Sequence, residues 1–356
     1  TLFPYTMLFR SLRTKGKEAE LPAVNVDLLI SGLTDISGEA DLVVFSTTTK
    51  DFTISETMRH TLNEAIARIE HVLHPDAASS ASIDDEQNAD ESLTDEIDDG
   101  AEEDTVLATD NLAFFALDLE EGSGIAYNLD AYAQSGRSIK ALFATFFASQ
   151  LLDTAKASVD VEGVQVASCL ATSQDALYEQ LRRTWDEYGW DAWIGGVGVR
   201  TGVASAGYYP ILSGRMDARA WLNVYRFLTG GTYGATWLGS ALEADGTSLT
   251  VQALTTNRSI ATTDFPTEGA ESNEIAIAAL GAPMTVWSFG GQAAAGMAEN
   301  PCLVENAIVL IDGHAYLFCV LSGMPDTSAN RELLGNVIAA CAQAIIHIEA
   351  SESAEV

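Results

Sequence analysis

The sequence predicts an α+β fold: an antiparallel sheet built from both chain ends, flanked by helices, with an inserted all-helical region between them. Three observations carry this reading. Two apolar runs flank Glu120-Glu121-Gly122-Ser123-Gly124, the pattern of a β-hairpin. Near the other end, the apolar runs 307–311 and 315–321 are joined through Asp312-Gly313, a strong short-range hairpin signal. Between the two hairpins lie long segments whose apolar residues recur at helical spacing.

Taken in order, residues 24–33 (VNVDLLISGL) and 41–47 (DLVVFST) read as short accessory strands within a segment 18–52. "TISE" at 53–56 is a capping-box signature. Met58, Leu62, Ala65, Ile66, Ile69, Val72 and Leu73 then place an amphipathic N-terminal helix over about 54–73. Residues 84–104 hold twelve carboxylates and no base. Such a run cannot bury itself, so 76–104 is expected to be an acidic disordered linker. Order resumes at the first hairpin, 112–128, and helices are predicted over 138–152, 175–195 and 215–228. The 138–152 segment is apolar on every side and should be the most buried helix. Strands follow over 283–289, 307–311 and 315–321, then a closing helix over 329–348.

Composition narrows the function. A chain of 356 residues with 47% apolar content can bury a substantial core. Its formal net charge of −33 argues against nucleic acid and anionic lipid as partners, since both are bound through Lys and Arg. No window reaches the ~18 apolar residues of a membrane span. Residues 1–17 lack the layout of a signal peptide and read as a cloning or assembly scar, which leaves room for a signal or anchor upstream. Residues 351–356 read as a tail. Cys169, Cys302, Cys319 and Cys341 have no metal-ligand spacing, and Cys319 in its apolar run reads as a buried free thiol. His71 and His74, at i and i+3, fit a charged helix terminus beside Pro75 better than a metal site. No cofactor or metal is expected.

The stretch FFALDLEEGSGIAYNLDAYAQSGRSIKALFA, 114–144, resembles the opening hairpin and first motif of the class A β-lactamase and penicillin-recognising serine hydrolase family. Downstream, residues 173–194 fall where that family has its Ser-x-Asn loop and following helix. Residues 208–228 resemble its next helix, and TVWSFGG, 285–291, sits on the strand of Lys-Thr-Gly. AIVLIDGHAYLFCVLSG, 307–323, resembles the closing hairpin. The resemblance covers 105–350 and implies a β-lactamase/DD-peptidase-like fold.

The motifs themselves are degraded. The resemblance implies serine and lysine at i and i+3, one helical face, so that the lysine takes the serine proton. Here Arg137 stands three residues before Lys140. Arginine has no nucleophilic oxygen and stays protonated. Ser138 is two residues before Lys140, roughly 200° away round a helix, and Ser135 is five before. The second motif is Ser173-Gln174-Asp175, with a carboxylate where an amide is implied. The third is Phe289-Gly290-Gly291, without cation or hydroxyl. Residues 190–215, where the family's deacylating glutamate would fall, contain no Glu and only Asp191 as an acid. As plain structural residues, Arg137 is a helix-terminal charge, Asp175 an N-cap and Phe289 strand core.

Two functions follow. One is a catalytically inactive member of the fold, acting as a binding or scaffolding module. The resemblance implies a place at the cell envelope and, in the former active cleft, a peptidoglycan-like peptide or a protein partner. The other is an active serine hydrolase, transferring acyl groups of β-lactams or peptides, with Ser135, Ser138 or Ser173 as displaced nucleophile and Lys140 as base. A buried lysine needs a partner. With Arg137 on the same face, Asp175 is predicted to pair with Lys140, Arg137 or both.

Overall fold

The computed structural model describes residues 20–48, 50–75, 108–199, 205–206, 208–256, 258–260, 273–275, 283–293 and 300–346. The expected scar at 1–17, the linker at 76–104 and the tail at 351–356 lie outside the described residues.

The chain opens with helix α1 (Val26–Asp35), where a strand was expected. Val26, Leu29 and Leu33 are its buried residues, a helical spacing, and the Asn25 side chain caps it by accepting from Leu28 N at 3.2 Å. Both ends of the apolar run fit a strand read locally; packing on a helix later in the chain selects the helix. Strand β1 (Leu42–Ser46) follows. It is not part of a separate accessory unit, because it pairs with the first hairpin as an edge of the main sheet. Helix α2 (Glu56–Leu73) is capped by Ser55, whose side chain accepts from Met58 N, and not by Thr53 of the expected capping box, so Glu56 is its first residue and not its third.

The first hairpin is β2 (Leu112–Asp118) and β3 (Ser123–Tyr127). After the short β4 (Tyr132–Gln134) and a 3-10 turn at Gly136–Ser138 comes α3 (Ile139–Phe146). Every residue from Ser138 to Ala148 is buried. The predicted long helix ends in a π-turn over Phe147–Leu152. Helices α4 (Val164–Thr172), α5 (Asp175–Trp185) and α6 (Trp190–Gly196) complete this helical layer. Gly189, at φ 109°, breaks the single helix expected over 175–195. Strands β5 (Ser205–Ala206) and β6 (Tyr209–Ser213) then lead into α7 (Gly214–Gly230), α8 (Gly239–Leu242) and α9 (Leu249–Thr255). Strands β7 (Arg258–Ile260) and β8 (Asn273–Ile275) pair with each other. The chain closes with β9 (Met284–Gln292), β10 (Leu303–Ile311), β11 (His314–Ser322) and α10 (Ser328–Ile345).

The six-stranded sheet runs β1-β3-β2-β11-β10-β9, every pair antiparallel, so both chain ends build it as expected. One face packs on the helical layer through Phe115, Leu117, Ile308 and Leu317. The other packs on α2 and α10 through Phe114, Ala116, Val309 and Phe318. Apolar cover on both faces explains why β2 is buried at every position instead of alternating. Strand β10 begins four residues earlier than expected. Glu305 and Asn306 look like a polar break, but each finds a partner, the half-buried Ser248 and the buried Asp217 respectively.

Candidate functional site

The 3-10 turn before α3 sets Arg137 and Lys140 on one side, and both reach the same carboxylate. Lys140 Nζ donates to Asp175 Oδ1 at 2.8 Å and to the Ser173 carbonyl at 2.8 Å. Arg137 grips Asp175 with two bonds, Nε to Oδ1 at 3.0 Å and Nη2 to Oδ2 at 2.8 Å. The expected pairing therefore forms with both cations. Asp175 is the first residue of α5, not its N-cap, and Ser173 turns the chain into that helix with a left-handed φ of 50°. That turn aims the Ser173 carbonyl at the lysine. The Lys140 side chain is only 1% exposed. Burial pushes its ammonium down, and the hydrogen bond and charge of Asp175 oppose this. The hydrogen bonds that Arg137 donates to Asp175 hold its guanidinium up. Tyr209 lies beside the same carboxylate, and its phenol is pushed up by burial first and by the Asp175 charge second.

Beside this cluster lies a cleft of about 380 Å³. Of the seven positions singled out in the sequence, Arg137, Ser173, Phe289, Gly290 and Gly291 line it, while Lys140 and Asp175 stand behind its wall. Gly291 is set by close approach. A Cβ there would lie 2.4 Å from Ser138 N and 2.9 Å from Arg137 N, so β9 meets the turn backbone to backbone. Phe289 packs against the core on the helical face of the sheet.

The three serines proposed as displaced nucleophiles differ in placement. Ser135 is fully buried, and its hydroxyl has no hydrogen-bond partner among the described residues. Ser138 is buried and donates to the Ser135 carbonyl at 2.6 Å. Ser173 alone of the three lines the cleft, but what it gives Lys140 is its carbonyl. A lysine acts as base when it is neutral and within reach of the hydroxyl it deprotonates. Among the described residues, the groups bonded to Nζ are a carboxylate and a carbonyl.

Three cleft residues had no signal in the sequence. Ser288 Oγ bonds to Ser248 Oγ at 2.9 Å, and Ser248 Oγ donates to Glu305 Oε1 at 2.7 Å. Burial pushes the Glu305 carboxyl up; hydrogen bonds from Ser248 and Thr250 oppose it. No short motif links positions 40 and 57 residues apart, so only the fold could reveal this chain.

Elsewhere, all four cysteines are free and buried. His74 lies 3.6 Å from Glu70 and 3.8 Å from Asp110 at the end of α2. Among the described residues no group of His, Cys, Asp or Glu side chains is arranged to hold a metal ion, and no helix is long and apolar enough to cross a membrane.

No family model and no curated protein matches the chain. Solved structures similar to it include PBP-A, at 13% identity over 66% of this chain and 89% of that one, with a TM-score of 0.48. The β-lactamase from Sphaerobacter thermophilus DSM 20745 is 12% identical over 67% and 93%, with a TM-score of 0.45. A representative class A β-lactamase from Bacteroides cellulosilyticus DSM 14838 is 11% identical over 65% and 91%, with a TM-score of 0.46. These likenesses concern the fold; at TM-scores below 0.5 they carry nothing about the chemistry of the cleft.

Proposed function

We propose that this chain is a catalytically inactive binding or scaffolding module on a β-lactamase-like serine hydrolase fold. Its cleft takes a ligand or partner without forming a covalent bond. The supporting observation is the Arg137–Asp175–Lys140 cluster, in which one carboxylate engages both cations at 2.8–3.0 Å. Acyl transfer by a serine–lysine pair needs a hydroxyl facing a lysine that can lose its proton. Here an arginine holds the position of the hydroxyl, and the lysine donates to a carboxylate. The resemblance in motif order makes a peptidoglycan-like peptide or a protein partner at the cell envelope the class of ligand to examine first.

The competing function is an active hydrolase using Ser173, since that serine lines the cleft. Incubation with a fluorescent penicillin and with a fluorophosphonate separates the two. The expected result is no covalent adduct by mass spectrometry. An adduct that forms on the folded chain and disappears in Ser173→Ala overturns the non-catalytic function.

A further inference from the structure

On the sheet side of the cleft, Glu305 is 3% exposed. Its Oε1 is satisfied by Ser248 Oγ at 2.7 Å and Thr250 N at 3.2 Å, where α9 begins. Oε2 faces another way. The residue opposite Glu305 across the β9–β10 pair is Gly290, and a Cβ there would lie 2.3 Å from Oε2. Any side chain at 290 would close the space over that oxygen. Glycine keeps it open toward the cleft, which both residues line. Among the described residues no hydrogen bond is made to Oε2.

The charges around it favour a cation. Arg331, also in the cleft wall, lowers the Glu305 carboxyl through its charge, but its hydrogen bonds go elsewhere: Asp326 holds it through two, with Nη2 to Oδ2 at 2.8 Å. Arg137 is held by Asp175. Glu243 and Asp245 add two more carboxylates to the same wall. A carboxylate withdrawn from water and held only by neutral donors is better stabilised by an incoming cation than by solvent it cannot reach. A cleft of about 380 Å³ admits a long side chain or a small molecule.

We propose that Glu305 Oε2, opened to the cleft by Gly290, is a subsite for a primary ammonium or guanidinium group. This rests on the cleft being a binding site and names the class of ligand it takes. Anchoring the start of α9 accounts for Oε1. It does not account for the open space over Oε2, which the glycine preserves.

The test is calorimetric titration of the whole chain at ~150 mM salt, where long-range attraction to its acidic surface is screened. The probes are Nα-acetyl-lysine methylamide, Nα-acetyl-arginine methylamide, alanine methylamide with its free α-amine, and Nα-acetyl-norleucine methylamide as the uncharged shape control. At least one cationic probe is expected to bind tenfold or more tightly than norleucine, the scale of a charge-assisted hydrogen bond in a shielded site. The winning probe distinguishes a side-chain ammonium, a guanidinium and a chain terminus. Glu305→Gln keeps an oxygen for Ser248 and Thr250 and should erase the preference, and Gly290→Ala should weaken it by covering Oε2. The proposal fails if the wild-type chain shows no cation preference, or if Glu305→Gln retains it. Should Glu305→Gln not fold, the wild-type comparison and Gly290→Ala decide. Covalent labelling by penicillin would overturn the non-catalytic function and leave the cation preference to stand or fall alone.

Discussion

Asp175 and Glu305 are both withdrawn from water at one cleft, Asp175 on the helical side and Glu305 on the sheet side, and they are satisfied by different means. Asp175 holds two cations, Arg137 and Lys140. Glu305 is held at Oε1 by a hydroxyl and a backbone N–H. The charge on the helical side is thus spent within the protein. The hydrogen-bond donors on the sheet side are all neutral; burial pushes the Glu305 carboxyl up against those bonds and the charge of Arg331, and the open space over Oε2 suits it to meet a ligand. A third buried carboxylate, Asp217 in the first turn of α7, extends the series. It accepts from Asn306 Nδ2 at 3.0 Å, its Oδ2 has no partner among the described residues, and burial pushes its carboxyl up to about 7.

The three carboxylates should therefore respond unequally, and in sign, to losing their charge. Asp175→Asn should have the largest effect. It leaves a buried lysine and a part-buried arginine without a counter-ion, so the chain should lose about 3 kcal/mol of stability, read by urea unfolding. It should gain no reactivity toward penicillin, because Arg137 remains. An unchanged unfolding midpoint would mean that the cluster contributes nothing and that the motif residues merely drifted.

The next effect is a pH dependence. Between the ordinary carboxyl range and about 7, folded Asp217 keeps a proton that the unfolded chain has released. The folded state then binds more protons, so stability falls as pH rises through this window. Wild type should lose about 2 kcal/mol more than Asp217→Asn between pH 5 and 7. Subtracting the variant removes the shared titration of the other acidic residues. Parallel curves for the two proteins would show that Asp217 is ionised throughout.

The smallest effect should have the opposite sign to the first. Glu305→Gln removes a buried charge and keeps an acceptor for Ser248 and Thr250. Without ligand, at pH 8, it should leave stability unchanged or raise it by about 1 kcal/mol. A loss as large as that of Asp175→Asn would mean that Glu305 is held by a cation after all, and the contrast between the two sides of the cleft would disappear.

The sequence by itself determined the class of fold. Its strongest local signals, Asp312-Gly313 between two apolar runs and the helical spacing from Met58 to Leu73, need no distant partner to act. It also determined that the residue three before Lys140 is an arginine and not a serine, whatever the fold. The Asp175 pairing followed from it too, because a buried lysine and a neighbouring arginine require a nearby carboxylate. Tertiary structure decided the rest where two local readings were equally good. The pattern of 24–33 suits a strand or a helix, and the Arg215 guanidinium, bonded to the Leu33 and Ile36 carbonyls, holds the end of the helix that forms. Glu305-Asn306 reads as a polar break until Ser248 and Asp217 arrive from distant parts of the chain to satisfy both side chains. Burial of a polar group depends on a partner that local sequence cannot supply, so the sheet side of the cleft became visible only once the chain had folded around it.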